Sequence, residues 1–245
     1  MAKRPVPHTN KRVYIVDRDR TVCETLGKTF ASFGYEVRVA ASASALAGTS
    51  FAESTCCLLL DVSFSDQSAF ELQDHLQRLD SPVDIVFMTA QGDISMAVNA
   101  MKRGAVDFLT KPLRMSELLP AVDTALQRSA LRREARRRHA LFTARVALLT
   151  PREREVLKLV LRGQRNKQIA DALASQESTV KVHRSRLMRK LEVRTLAELL
   201  RIGAELESRP ERGPVRRSFG AAPPAFEPFA VVRPEGEMPF PGISL

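Results

Sequence analysis

The stretch LTPREREVLKLVLRGQRNKQIADALASQESTVKVHRSRLMRKLEVRTL, Leu149–Leu196, sets out the second half of this 245-residue chain in its punctuation. Thr150-Pro151-Arg152-Glu153 is a capping box with proline at the first helical position, so a helix begins there. Val156, Leu157 and Val160 give it one apolar face, and Gly163 stops it. A second short helix, about Asn166 to Leu173, turns Ile169, Ala170 and Leu173 inward. A tight connection leads to a third. With Val180 as zero and 100° per residue, Leu187 and Leu191 fall within about 20° of Val180, one on either side. Val182, Ser185, Arg186 and Arg189 lie opposite, with Lys181 at the border. Thr195-Leu196-Ala197-Glu198 is another capping box, opening a fourth helix that ends near Glu207.

A single helix of this kind reads first as an ordinary amphipathic helix with a solvated charged face. Its neighbours decide the matter. Two helices joined by a tight turn form a helix-turn-helix, and a basic face with small side chains near its start suits the DNA major groove. The segment resembles the LuxR-type DNA-binding domain, whose pattern includes L-T-x-R-E-x-E-V-L, N-K-x-I-A, T-V-K-x-H and K-L-x-V. That likeness implies double-stranded DNA as partner and a homodimer on a two-fold related site. The candidate contact residues are Asn166, Lys167, Thr179, Lys181, Val182, Arg184, Ser185, Arg186 and Arg189. Lys181, Val182 and Ser185, early on the outward face, are expected to read bases. Asn166, Lys167, Thr179 and Arg189 are expected to hold the backbone. One departure concerns the turn before the third helix. The family usually has an apolar plug and a serine cap (I-S-x-x-T); here Ser175-Gln176-Glu177-Ser178-Thr179 loses the plug and weakens the cap, at a cost of about 1 kcal/mol.

The net charge of +10 is unevenly placed. Residues 1–126 hold 13 Lys/Arg against 15 Asp/Glu, whereas 127–209 hold 21 against 9. A polyanion partner for the middle segment follows. The basic helix lacks the aromatic, deeply apolar face of a membrane-surface helix, so DNA is preferred to a membrane. No apolar run reaches transmembrane length, and the basic start MAKRPVPHTNKR is not followed by a signal-peptide core; a cytoplasmic protein is expected. Cys23, Cys56 and Cys57 lack metal-ligand spacing and read as small buried hydrophobes.

Residues 11–126 alternate short apolar runs (Val13–Val16, Tyr35–Val39, Cys57–Leu60, Ile85–Met88, Val106–Leu109) with helical patterns near Thr21–Ser32, Ala43–Phe51, Ala69–Leu79 and Asp93–Arg103. Five strands with intervening helices imply a doubly wound parallel sheet, so the fold class is α/β followed by all-α. Chemistry in such sheets sits beyond the carboxyl ends of the strands. Asp17, Asp61, Thr89 and Lys111 stand at those ends. An apolar sheet has no structural need of two carboxylates, a hydroxyl and a lysine along one edge.

This segment resembles a response-regulator receiver, closest to the FixJ-like subgroup, through FMTAQGDISMAVNAMKRGAVDFLTKPL and through LLLD at 58–61. The resemblance implies strand order 2-1-3-4-5, Asp61 as phosphoacceptor, Thr89 as switch hydroxyl, Phe108 as switch aromatic and Lys111 as phosphate-binding cation. It also implies a cis Lys111-Pro112 bond, a sensor histidine kinase as partner, and Mg²⁺ held by Asp17 and Asp61. Receivers usually carry two adjacent acids after the first strand; here Arg18 follows Asp17. A guanidinium inside the pocket would oppose Mg²⁺ by about 6 kcal/mol at ~5 Å with an effective dielectric near 20. It could instead pair with a carboxylate and imitate the metal. Asp19 is expected to face away. The loop Ser63-Phe64-Ser65-Asp66 lacks the proline and glycine of the usual R-M-P-G-like turn.

Val13–Thr21 also fits hhhhDxDxT, the first motif of haloacid-dehalogenase-type phosphatases, with Asp17 as nucleophile. Such enzymes need an acidic pair after the lysine, and residues 112–126 offer only the isolated Glu117 and Asp123. The reading adopted is a non-enzymatic, two-component transcriptional regulator; the alternative keeps the DNA-binding domain but makes the receiver a phosphorylation-independent interaction module. The expected division is an arm at 1–10, a receiver at 11–126, an arginine-rich helical linker at 127–145, the helix-turn-helix domain at 146–208 and a tail at 209–245. The stretch from Ser208 holds 8 of 14 prolines and no periodicity, so it is expected to be disordered.

Overall fold

Strands that run apolar at every position bury both faces, and only a sheet covered on both sides by helices can do that. The computed structural model describes residues 11–42, 46, 49, 51, 53–62, 67–92, 94–207 and 230–232. The five runs become β1 (Lys11–Val16), β2 (Glu36–Ala40), β3 (Thr55–Asp61), β4 (Asp84–Thr89) and β5 (Asp107–Thr110). They pair in parallel in the order 2-1-3-4-5. α1 (Arg20–Ser32), α2 (Gln67–Arg78) and α3 (Ile94–Lys102) lie between them. The helix expected at Ala43–Phe51 falls largely outside the described residues, as do the arm at 1–10 and the loop Ser63–Asp66.

Alternation along each strand divides the core. Val13, Ile15 and Leu59 pack with Phe30 of α1 and with Leu118 and Val122 of α4 (Met115–Ala147). Tyr14, Leu58 and Phe87 face Leu72 and Leu76 of α2. The three thiols are free and buried. Burial pushes Cys23 up to about 11, Cys56 to about 12, and Cys57 well above the usual thiol range.

One expectation is corrected. Ala230–Val232, in the tail expected to be disordered, forms β6, antiparallel to β2 at the edge of the sheet. The outer edge of β2 offers unpaired backbone groups, and Ala-Val-Val is a short strand-forming run that the proline average of the tail conceals. The rest of 208–245 lies outside the described residues.

The chain divides into two compact units, residues 1–133 with 216–245, and residues 134–215. The division falls inside α4, a single helix of 33 residues. The arginine-rich stretch therefore continues the helix that begins at Met115. On the receiver side, Ser129 Oγ accepts the amide of Cys56 at 3.0 Å, and Arg132 pairs with the buried Asp84 at 3.0 Å.

The second unit contains α5 (Pro151–Leu161), α6 (Asn166–Ala172), α7 (Glu177–Leu191) and α8 (Leu196–Glu207). The capping box of α5 is present in both directions: Glu153 N donates to Thr150 Oγ1 at 3.3 Å, and Thr150 N to Glu153 Oε2 at 2.8 Å. Gly163, at φ +77°, ends that helix. Before α8, Glu198 N donates to Thr195 Oγ1, while the Glu198 carboxylate accepts from Arg194 N instead of Thr195 N. Val156, Val160, Ile169, Val180, Leu187 and Leu191 form the centre of the unit. Phe142, near the end of α4, is buried with them.

Candidate functional site

The parallel sheet brings Asp17, Asp61, Thr89 and Lys111 to one edge because each follows or ends a strand running in the same direction. Lys111 Nζ lies 2.6 Å from Asp17 Oδ2 and 2.8 Å from Asp61 Oδ1. One ammonium thus bridges both carboxylates. The Asp17 side chain is 1% exposed and that of Asp61 16%, so Asp61 is the carboxylate an incoming group can reach. Burial pushes the Asp17 carboxyl above the ordinary aspartate value, against the pull of Lys111 and of the Asp19 amide. Burial also weakens the Lys111 charge, but its contacts with Asp17 and Asp61 outweigh this and raise its pKa.

Thr89 Oγ1 donates to Val62 O at 2.9 Å and accepts from Gln91 N at 3.2 Å. It is thereby fixed beside the residue that follows Asp61. Phe108 is half-buried, with its ring 6.3 Å from that of Phe87. The Lys111-Pro112 bond is cis. Gly92 was not singled out from the sequence. A Cβ there would meet Thr89 Cγ2 at 2.8 Å and Phe108 Cε1 at 2.9 Å, so the glycine lets Thr89 and Phe108 share a wall.

Asp19 does face away: its carboxylate caps α1 by accepting from Thr21 N and Val22 N. Arg18 is exposed. In water its opposition to a divalent ion at ~5 Å falls to about 2 kcal/mol, so it weakens such a site without closing it. Among the described residues, no group of three or more His, Cys, Asp or Glu is poised to hold a metal ion. Asp17 and Asp61 nevertheless converge on a single cation, and Mg²⁺ is commonly held through one or two carboxylates with water completing its shell. The donor set fits Mg²⁺. Glu117 and Asp123 do not supplement it: Glu117 faces Arg114 at 3.8 Å, and Asp123 accepts from Tyr35 Oη at 3.1 Å.

On α7, Val180, Leu187 and Leu191 are no more than 1% exposed. Thr179, Lys181, Val182, Ser185, Arg186 and Arg189 are exposed, as is Lys167 on α6. This is the division of faces expected from the sequence. Asn166 and Arg184 are half-buried and joined, Arg184 Nη1 donating to Asn166 Oδ1 at 2.9 Å. That bond ties the start of α6 to the middle of α7. Lys181 pairs with Glu177 one turn back at 3.4 Å. The N-cap of α7 is Gln176, whose side chain makes no cap hydrogen bond, in keeping with the weakened cap. Lys190 was also missed by sequence reasoning. It crosses to the buried Glu153 at 2.7 Å and fixes α7 against the first turn of α5.

Comparison with known proteins follows this division. The model of the response regulator receiver domain matches residues 13–123, and that of bacterial regulatory proteins of the luxR family matches residues 147–202. Nodulation protein W of Bradyrhizobium diazoefficiens is 42% identical over 198 residues, spanning 81% of this chain and 87% of its own. Response regulator protein TodT of Pseudomonas putida is 40% identical over 195 residues, spanning 80% and 86%. A low-resolution structure of the response regulator StyR superposes with a TM-score of 0.67 at 42% identity, covering 80% of this chain and all of that one.

Proposed function

The chain belongs to the response regulators that join a receiver domain to a LuxR-type DNA-binding domain, and on that premise we propose that phosphorylation of Asp61 controls DNA binding by α7. The observation that carries this reading is the Lys111 bridge, which leaves Asp61 the more accessible of two carboxylates sharing one cation. An Asp61 oxygen attacks the phosphorus of a phosphohistidine on a sensor kinase. The P–N bond breaks, the imidazole nitrogen takes up a proton, and an acyl phosphate remains on Asp61. Asp17 and Asp61 would hold Mg²⁺, which would neutralise charge on the phosphoryl oxygens. Lys111 moves its charge from the carboxylates to a phosphoryl oxygen, and Thr89 exchanges Val62 O for another. Phe108, which shares the Gly92 wall with Thr89, follows that movement.

In the DNA-binding unit, α7 enters the major groove. Lys181, Val182 and Ser185 face the bases, and Lys167, Thr179, Arg186 and Arg189 lie towards phosphates. Asn166 and Arg184 brace the pair of helices that hold this face. The protein acts as a homodimer on a two-fold site, with the receiver and α8 as the dimerising parts. On α3, Ile94 is 83% exposed and Val98 and Met101 nearly half exposed, an apolar stripe at helical spacing that offers such a surface. The protein is a cytoplasmic regulator and not a turnover catalyst. No helix among the described residues is long and apolar enough to cross a membrane.

A second reading, phosphorylation-independent control, is favoured by one observation: Arg18 stands where the family carries its second acid, beside carboxylates already neutralised by Lys111. Mg²⁺ titration followed by labelling with a small acyl phosphate separates the two. Mg²⁺-dependent label on wild type, absent from Asp61→Asn, supports the phosphoswitch. No label at saturating Mg²⁺ overturns it in favour of the second reading.

A further inference from the structure

β2 is the last parallel strand of the receiver sheet, and β6 lies along its outer edge. The pairing is antiparallel, with Val37 opposite Val232, Arg38 opposite Val231 and Val39 opposite Ala230. β6 belongs to a remote part of the chain. α8 ends at Glu207, and residues 208–229 intervene before the strand begins. The receiver unit is consequently discontinuous, its two segments flanking residues 134–215 in the sequence.

An open sheet edge is a template for any extended segment, and natural sheets cover or interrupt it. The sequence Phe229-Ala230-Val231-Val232-Arg233 suits this purpose. Its two valines favour extended backbone, and Pro228 and Pro234 on either side lack the amide needed to lengthen the ladder. So short a strand binds poorly as a free peptide. Carried on the same chain, it meets β2 without the translational cost of a bimolecular encounter.

We propose that residues 230–232 are a built-in strand that occupies the β2 edge in cis and prevents that edge from pairing with the β2 edge of a second copy.

Full-length Val232→Pro tests this, because Val232 stands opposite Val37, whose backbone groups point away from β1, so proline there removes an amide donor of β6 to β2. Hydrogen exchange of residues 36–40 should accelerate about tenfold at the amides that point away from β1. Without phosphodonor or DNA, light scattering should show a concentration-dependent dimer that wild type does not form under the same conditions. A peptide spanning residues 226–236, added to the variant at several millimolar to offset its weak binding, should restore both protection and monomer mass. Unchanged exchange in the variant overturns the cis strand. Faster exchange with wild-type mass at every concentration overturns its role in guarding the edge, as does failure of the peptide to restore the monomer.

Discussion

Lys190, near the end of α7, holds its ammonium 2.7 Å from Glu153 Oε2, the same oxygen that accepts the Thr150 amide in the capping box of α5. Burial disfavours the Glu153 charge, but Lys190 and Thr150 together hold its pKa below the ordinary value of 4.5. A carboxylate lowered in this way stabilises the fold fully above that ordinary value, and loses its contribution as pH falls through the lower folded value. Glu153→Gln keeps the capping box, since glutamine also serves there, and removes only the charge. The variant of the 134–215 unit should lose about 1 kcal/mol at pH 7, a figure discounted because Lys190 is one-third exposed. Urea unfolding against pH checks it. The gap between variant and wild type should close in acid, and a gap constant down to pH 3 would show that the ion pair contributes nothing.

Arg18→Asp removes a cation beside the acidic pocket and recreates the adjacent acids of the family pattern. Mg²⁺ affinity should rise about tenfold or more, since a change of two charge units near a partly screened divalent ion supplies at least that. Labelling at Asp61 should become faster at low Mg²⁺. Titration of wild type and variant by isothermal calorimetry measures the first effect. Equal affinities would mean that Arg18 is electrically irrelevant to the site.

The DNA-binding unit alone should bind duplex DNA with a steep salt dependence. Neutralising about six phosphates per subunit gives a slope of log K against log salt near −5. The excess of cations over 127–209 motivates this number. Fluorescence anisotropy between low and moderate salt measures the slope, and a flat line would remove the electrostatic account.

Lys181→Ala and Ser185→Ala should change which sequences are preferred, each by roughly 1–3 kcal/mol at the base pair concerned. Arg189→Ala should weaken all sites alike and reduce the salt slope by about one. Selection from a randomised duplex library distinguishes these outcomes. Altered preference in Arg189→Ala with unchanged preference in Lys181→Ala would mean that the faces are assigned the wrong way round.

The parts of the fold legible in the sequence are those set by local periodicity. Val180, Leu187 and Leu191 repeat at helical spacing and are all buried, because the face of a helix depends only on residues within two turns. Asp17, Asp61, Thr89 and Lys111 were found because an apolar run ending in a polar residue marks the carboxyl end of a buried strand. Relationships between distant residues were not legible. Nothing near Glu153 announces Lys190, and nothing in the acidic motif shows that Lys111 bridges both carboxylates. Asp84, a charge at the start of β4, resembles a turn residue until Arg132 arrives against it from α4. β6 escaped because three strand-forming residues cannot alter the average of a proline-rich segment. Gly92 looks like a loop glycine until the Thr89 and Phe108 side chains are seen on either side.

All three cysteines lie in the receiver, each no more than 2% exposed, and residues 134–215 contain none. A thiol raised in this way carries almost no thiolate near neutral pH, so alkylating reagents and mild oxidants find no nucleophile in the folded receiver. The modification rate therefore becomes a clock for receiver opening. Cys56 and Cys57 sit together in β3, the strand that ends in Asp61, so their labelling times the exposure of the strand carrying the acidic pocket. Melting of the DNA-binding helices leaves that clock silent, which allows the two halves of the chain to be followed separately in a single unmodified protein.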